Sequence, residues 1–482
     1  MPAKRFGRTL VLFLAVALAF AQQTFSPTPD VYRALERISA ASLRGNLSFI
    51  ASELLEGRDT PSRGLDIAAV YIAAQFRIAG LEPVGDDAYF QTAKMLRTAP
   101  TPDGFELRIQ GGSRTLAMDK SQASALSRGP LELSGAPVYM VRELADVKAG
   151  DGKGKVVMLA ASRGNRREVA KAATVLQPAA FLETADEDAG LHGSRLNDLY
   201  EEDTYGGVAR LIVRDAEAKR VLRAAKAGET GLSISVKLPA PTLIPVTARN
   251  VIGLLRGSDP VLRDQYILLT AHYDHLGMDG PGRVFQGAND DGSGTVSVME
   301  IGKALAAMPV HPKRSIVFMT FFGEEEGSLG SLYYARHPVV PLEKTVADLN
   351  LEQVGRTDSS VGREVSNASL TGFEYSNIAH VLQQAGKLTG VKVYEAPNGD
   401  EFFNRSDNQT FAERGIPAHT IVVAFEYPDY HAVGDVWQKI DYDNMAKVDR
   451  MIALGSIMLA DSADAPQWNR KNAKAARYLN AR

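Results

Sequence analysis

From Asn250 onward, short apolar runs alternate with longer stretches of helical period. Tyr266-Ile-Leu-Leu-Thr270 comes first, a helical pattern from Gly294 to Ala307 follows, and then Ser315-Ile-Val-Phe-Met-Thr-Phe-Phe322. Ala347-Asp-Leu-Asn-Leu351 and Ala418-His-Thr-Ile-Val-Val-Ala424 continue the series. Unbroken apolar strands separated by helices imply a sheet covered on both faces, so the pattern predicts an α/β fold with a mostly parallel central sheet flanked by helices. In such sheets ligands collect at the carboxyl ends of the strands.

Upstream the texture differs. A polar, Pro-containing stretch from Ser26 to Asp30 precedes one helical pattern, and a second runs from Leu65 to Ala79 with apolar Ile67, Val70, Ile72, Ala74, Phe76 and Ile78, closed by Gly80. Between Thr101 and Pro241, strand-like runs such as Pro137-Val-Tyr-Met-Val141 and Lys155-Val-Val-Met-Leu159 are broken by Gly, Asp and Lys clusters. This reads as an inserted β-rich domain. The expected division is a core domain over residues 27–115 and 242–465, an insert over 116–241, and a tail over 466–482. Residues 1–21 have the order of an export signal: Lys4, Arg5 and Arg8, an apolar run from Leu10 to Phe20, then Ala19-Phe20-Ala21. That run is well short of the ~20 apolar residues that span a bilayer, so no stable membrane anchor is expected after cleavage, and the mature chain is expected in the periplasm or outside the cell.

Composition narrows the chemistry. Lys and Arg total 54 against 57 Asp and Glu, a net charge of -3, so no basic field exists to gather nucleic acid. Cys is absent, which excludes thiol catalysis, thiolate-bound zinc and disulfides.

The informative residues fall at strand ends. The first core strand runs into Ala271-His272-Tyr273-Asp274-His275, and Gly287-Ala-Asn-Asp290-Asp291-Gly-Ser-Gly294 delivers carboxylates at the start of a helix. The next strand ends in Gly323-Glu324-Glu325-Glu326-Gly327, another at Glu352, and Tyr430-His431 follows the strand at Ala418. Taken singly, a His after a strand is usually a surface or satisfied core residue, and an acidic triplet a solvated loop. Gathered at one rim, the acids would repel unless cations compensated them, and two imidazoles with at least three carboxylates suit zinc or a similar divalent ion.

In order and spacing, Ala271-His-Tyr-Asp-His-Leu-Gly277, the Gly287–Gly294 segment, Gly323-Glu-Glu, Asn350-Leu-Glu352 and Asp429-Tyr-His431 resemble the co-catalytic zinc exopeptidases related to aminopeptidase S and aminopeptidase Y. Leu54-Leu-Glu-Gly-Arg58 is similar to that family's N-terminal segment, and the insert, with Gly154-Lys-Val-Val-Met158, to the protease-associated domain of some members. The resemblance implies two zinc ions per chain, peptide substrates and an exported aminopeptidase. It implies His272, Asp290 and Glu352 at one ion and Asp290, Glu325 and His431 at the other, with Asp290 the bridge. Glu352 stands where many members have Asp. Glu324 matches the general base, Asp274 the carboxylate that orients His272, and Tyr430 a tyrosine that in some members stabilises the oxyanion. The same scaffold supports glutamate-type carboxypeptidases, glutaminyl cyclases and non-catalytic receptor-like modules. Arg405-Ser406-Asp407 resembles a cleft motif with Asn408 in place of its usual His, and carries no assigned catalytic role.

Overall fold

The computed structural model describes residues 25–99, 101–161, 166–185, 195–198, 206–360 and 362–479, so the expected signal segment lies outside the described residues. A ten-stranded sheet forms the core. Its order is Lys392–Tyr394, Asn367–Leu370, Ala418–Val422, Thr345–Leu351, Tyr266–His272, Ser315–Phe321, Leu243–Leu255, Phe90–Thr98 and Arg195–Asp198, with Glu82–Pro83 added beside Leu243–Leu255.

The α/β class holds, but the sheet is mixed where a mostly parallel one was expected. The four strands from Ala418–Val422 to Ser315–Phe321 are mutually parallel, as are Asn367–Leu370 and Lys392–Tyr394. The other pairings of this sheet are antiparallel. The cause on one side is the insert: Phe90–Thr98 leads into it and Leu243–Leu255 leads out, and the two pair along their length as a hairpin, Thr98 opposite Leu243.

Burial explains the uniform apolar runs. Every residue of Ser315–Phe321 and of Thr345–Leu351 is buried, because helices cover both faces. On one face Ile267, Leu269 and Ile316 meet the helices Ala40–Ile50, Arg63–Ala79, Gly294–Ala306 and Tyr442–Asp461. On the other, Leu268, Val317 and Met319 meet Tyr334, Phe411 and Tyr478. Helix Arg63–Ala79 is capped by Ser62 and stopped by Gly80 in the left-handed region. Its buried stripe is Leu65, Ala68, Ala69, Ile72 and Phe76, whereas Val70 and Ile78 face solvent.

A second sheet of eight strands draws on residues from Glu106 to Leu238. It has its own core, built around Leu107, Val138, Met158, Leu182 and Val236. Among the described residues no helix is long and apolar enough to cross a membrane.

Candidate metal centre

Register brings the candidate ligands together. Thr270 lies opposite Asn350 in the parallel pair, so His272 and Glu352, each two residues further on, emerge side by side. His272 is opposite Phe321 on the other flank, which sets Glu324 and Glu325 just beyond the same rim. The segment Ala288–Ser293 folds over these strand ends and presents Asp290. Helix Gly294–Ala306 can start close beside the sheet only because residue 294 has no side chain: a Cβ there would lie 2.2 Å from the Leu351 carbonyl oxygen.

The side chains converge on Asp290. Its Oδ1 is 3.4 Å from His272 Nε2 and its Oδ2 is 3.0 Å from His431 Nε2. His431 Nε2 also lies 3.4 Å from Glu325 Oε2, and His272 Nε2 lies 3.9 Å from Glu324 Oε2. Ligand atoms of His272, Asp290 and Glu352 fall within 4.8 Å of one another, as do those of His275, Asp290 and Glu325. Tyr430 stacks on His431 with ring centroids 4.0 Å apart, which fixes the plane of that imidazole.

The arrangement fits divalent cations. His272 Nε2 is buried without a hydrogen-bond partner, an expensive condition unless a cation binds there. Buried acids outnumber buried cations, and their ionisation reflects it. Burial and the neighbouring acids push the Glu324 carboxyl well above the ordinary range, despite His272 nearby, and burial lifts Glu352 to about 6. Burial opposes charge on Asp290, yet His272 and His431 hold it far below its usual value. Burial likewise opposes charge on His431, but Asp290 and Glu325 raise it to about 10. These imidazoles act as cation substitutes among carboxylates.

Around this cluster lies a frame that sequence order shows only in part. Asp274 lies 3.4 Å from His272 Nδ1, while its oxygens accept the backbone N–H groups of Glu324 (3.1 Å) and Glu325 (3.4 Å), tying one strand end to the next. Asp435, which no motif marks, accepts the backbone N–H groups of Asn289 and Asp290 and the Tyr427 hydroxyl. Arg58 is fully buried and donates to the carbonyls of Ile50, Tyr273, Gln286 and Gly287, clasping the segments that lead to Asp274 and Asp290. Its location within Leu54-Leu-Glu-Gly-Arg58 was visible in the sequence, but three of its four acceptors, Tyr273, Gln286 and Gly287, are distant along the chain and were not. Asp407 is buried beside Ser331, and burial raises it to about 7, while Asn408 bonds Phe403 and Thr420.

A pocket opens from the cluster, lined by Thr371, Phe402, Arg405, Val422, Phe425 and Glu426 beside Glu324 and Glu352. Phe402 and Phe425 stack at 4.7 Å, and the Arg405 guanidinium lies 4.7 Å over the Phe402 ring. Arg356 is committed elsewhere, to Asp358 and Asp429.

Residues 250–455 match the sequence model of peptidase family M28. Over 312 residues the chain is 25% identical to the probable leucine aminopeptidase 2 of Aspergillus oryzae, an alignment covering 62% of this chain and 58% of that protein. Over 235 residues it is 25% identical to aminopeptidase YwaD of Bacillus subtilis, covering 48% of each. The chain thus spans about half the length of the curated relatives it matches. The solved aminopeptidase from Aneurinibacillus sp. strain AM-1 shares the fold, with a TM-score of 0.60 at 20% identity over 91% of this chain and 100% of that one.

Proposed function

We propose that this chain, whose residues 250–455 match peptidase family M28, is a zinc-dependent aminopeptidase removing N-terminal residues from peptides. The observation that carries this reading is the convergence of two imidazoles, His272 and His431, and two carboxylates, Glu325 and Glu352, around Asp290 at the carboxyl rim of the sheet. His272, Asp290 and Glu352 would hold one zinc ion and Asp290, Glu325 and His431 the other. When bound, the two ions supply Lewis-acid polarisation of a water and of the scissile carbonyl. Glu324, left free of ligation by Glu325, takes the proton of the attacking water and hands it to the departing amine. Tyr430 lies over His431 at the mouth of the same pocket, where its hydroxyl can donate to the developing oxyanion. Asp274 holds the Glu324–Glu325 turn against the His272 strand, and so keeps base and ligands in one geometry.

The stacked Phe402 and Phe425 make an apolar slot for the side chain of the terminal residue, and Glu426 lies near enough to receive a free amine. We read the eight-stranded sheet as a protease-associated domain, and the leader-like residues 1–21 support export to the periplasm or beyond. Two measurements test the proposal together. Purified chain should contain two zinc ions by elemental analysis and hydrolyse aminoacyl-amidomethylcoumarins, with activity removed by a chelator and restored by zinc. A metal-free preparation that still cleaves these substrates would refute it.

A further inference from the structure

We propose that His275 is a positioning residue that presents a single oxygen of Glu325 to the second metal position. The inference rests on the zinc reading above. His275 Nδ1 lies 2.9 Å from Glu325 Oε1, within hydrogen-bond range, while the other oxygen, Oε2, faces His431 Nε2 at 3.4 Å. The two oxygens of one carboxylate are therefore divided, one held by an imidazole and one turned toward the shared ligand position.

The ring that does the holding is itself fixed. The His275 backbone N–H donates to the Arg58 carbonyl at 3.2 Å. Its ring lies against Gly287, whose left-handed backbone (φ +54°) leaves no room for a side chain: a Cβ would sit 2.3 Å from His275 Cγ. The ring also meets His431 edge-on at 5.8 Å, and only 1% of the residue is exposed. Glu325 is tethered at its other end too, since its backbone N–H is accepted by Asp274 at 3.4 Å. With backbone and Oε1 both held, the carboxylate cannot swing away from Asp290, whose like charge would otherwise drive it off. This is preorganisation of a ligand by a neighbouring donor, and loss of such a donor typically weakens metal binding ~10–100-fold.

The test is a zinc titration of the full chain after metal removal, read by competition with a chromophoric chelator, for wild type, His275→Ala, His275→Asn and His431→Ala. His275→Ala should weaken one of the two zinc constants ~10–100-fold and leave the other within about twofold. His275→Asn, whose amide can still donate to Glu325, should recover most of the loss. A purely structural role would lower Tm in both variants and leave the ratio of the two constants unchanged, and that result would overturn the proposal. Loss of the second ion in His275→Ala as complete as in His431→Ala, with no recovery in His275→Asn, would also overturn it by making His275 a ligand. If His275→Ala does not fold, His275→Asn decides alone: the positioning role requires near-normal zinc constants in it. Wild-type chain that binds no zinc would defeat the zinc reading itself, a result distinct from unchanged constants in the variants.

Discussion

Glu324 and Glu325 are neighbours in the chain with opposite surroundings. Burial and Asp290 oppose ionisation of Glu325, yet His275 and His431 hold its carboxyl down at about 2. Glu324 has only the more distant His272 to offset burial and the acids around it, and its carboxyl is pushed up. Two carboxyls driven apart in this way divide the labour, one suited to ligation and the other to moving protons. Glu324→Gln should therefore lose at least ~10² in kcat while keeping its zinc, measured by turnover and elemental analysis on the same sample. Near-normal kcat would remove Glu324 from the base position. Asp290→Asn takes away the charge shared by both ion positions and should lose zinc together with activity; full zinc occupancy in that variant would place the bridge elsewhere. Residues of this kind were legible because the sequence puts them directly after apolar strands. Arg58, Asp435 and the pairing of His275 with Glu325 were not, because each acts on backbone or side chains far along the chain and leaves no spacing to read.

Among the elements, the parallel centre of the sheet could be read from its apolar runs, while the antiparallel flank could not. Phe90–Thr98 and Leu243–Leu255 are a single hairpin whose connection is the insert, so their pairing joins segments more than a hundred residues apart. The hairpin closes cleanly: the Ala99 backbone N–H donates to the Thr242 carbonyl at 2.9 Å. Replacing residues 100–241 by Asn-Gly, a dipeptide suited to a tight two-residue turn, should thus leave the core able to fold and to bind zinc. A folded, soluble deletion that binds no zinc would show that the insert helps to build the site. Helix Tyr442–Asp461 carries a separate, pH-linked feature. Asp449 is fully buried, and burial raises it to about 8. Ser297 and Glu300 face it from helix Gly294–Ala306, and Arg450 from its own helix. Its folded value lies above the unfolded ~3.9, so its contribution is intact in acid and is lost as pH climbs toward 8, by at most ~1.4 kcal/mol per pH unit. Asp449→Asn should therefore gain Tm over wild type at pH 8 relative to pH 5; a difference independent of pH would mean that Asp449 does not titrate in this window.

For the molecule as a whole, the proposed peptidase activity leaves open which end of a peptide the pocket would hold, and charge decides it. A free α-carboxylate needs cations around it, and a free α-amine needs acceptors. Arg356, one of two arginines close enough in sequence to serve a carboxylate, is spent on Asp358 and Asp429. Arg405 does line the pocket, stacked over Phe402 at its exposed edge, but it stands alone against Glu324, Glu352 and Glu426 in the same lining. On the zinc reading the ligand carboxylates face the ions, and Glu426, whose contacts are to Ser360 on an exposed loop, is left to meet an ammonium group. The chain should therefore cleave unblocked peptides, lose that activity when the substrate is N-acetylated, and be indifferent to C-terminal amidation. Glu426→Gln should raise KM for unblocked substrates severalfold with a smaller change in kcat, since on this reading it would meet the bound amine and not the reacting carbonyl. The reverse pattern, acetylated peptides cleaved and amidated ones refused, would assign Arg405 to a terminal carboxylate and make the enzyme a carboxypeptidase on the same metal centre.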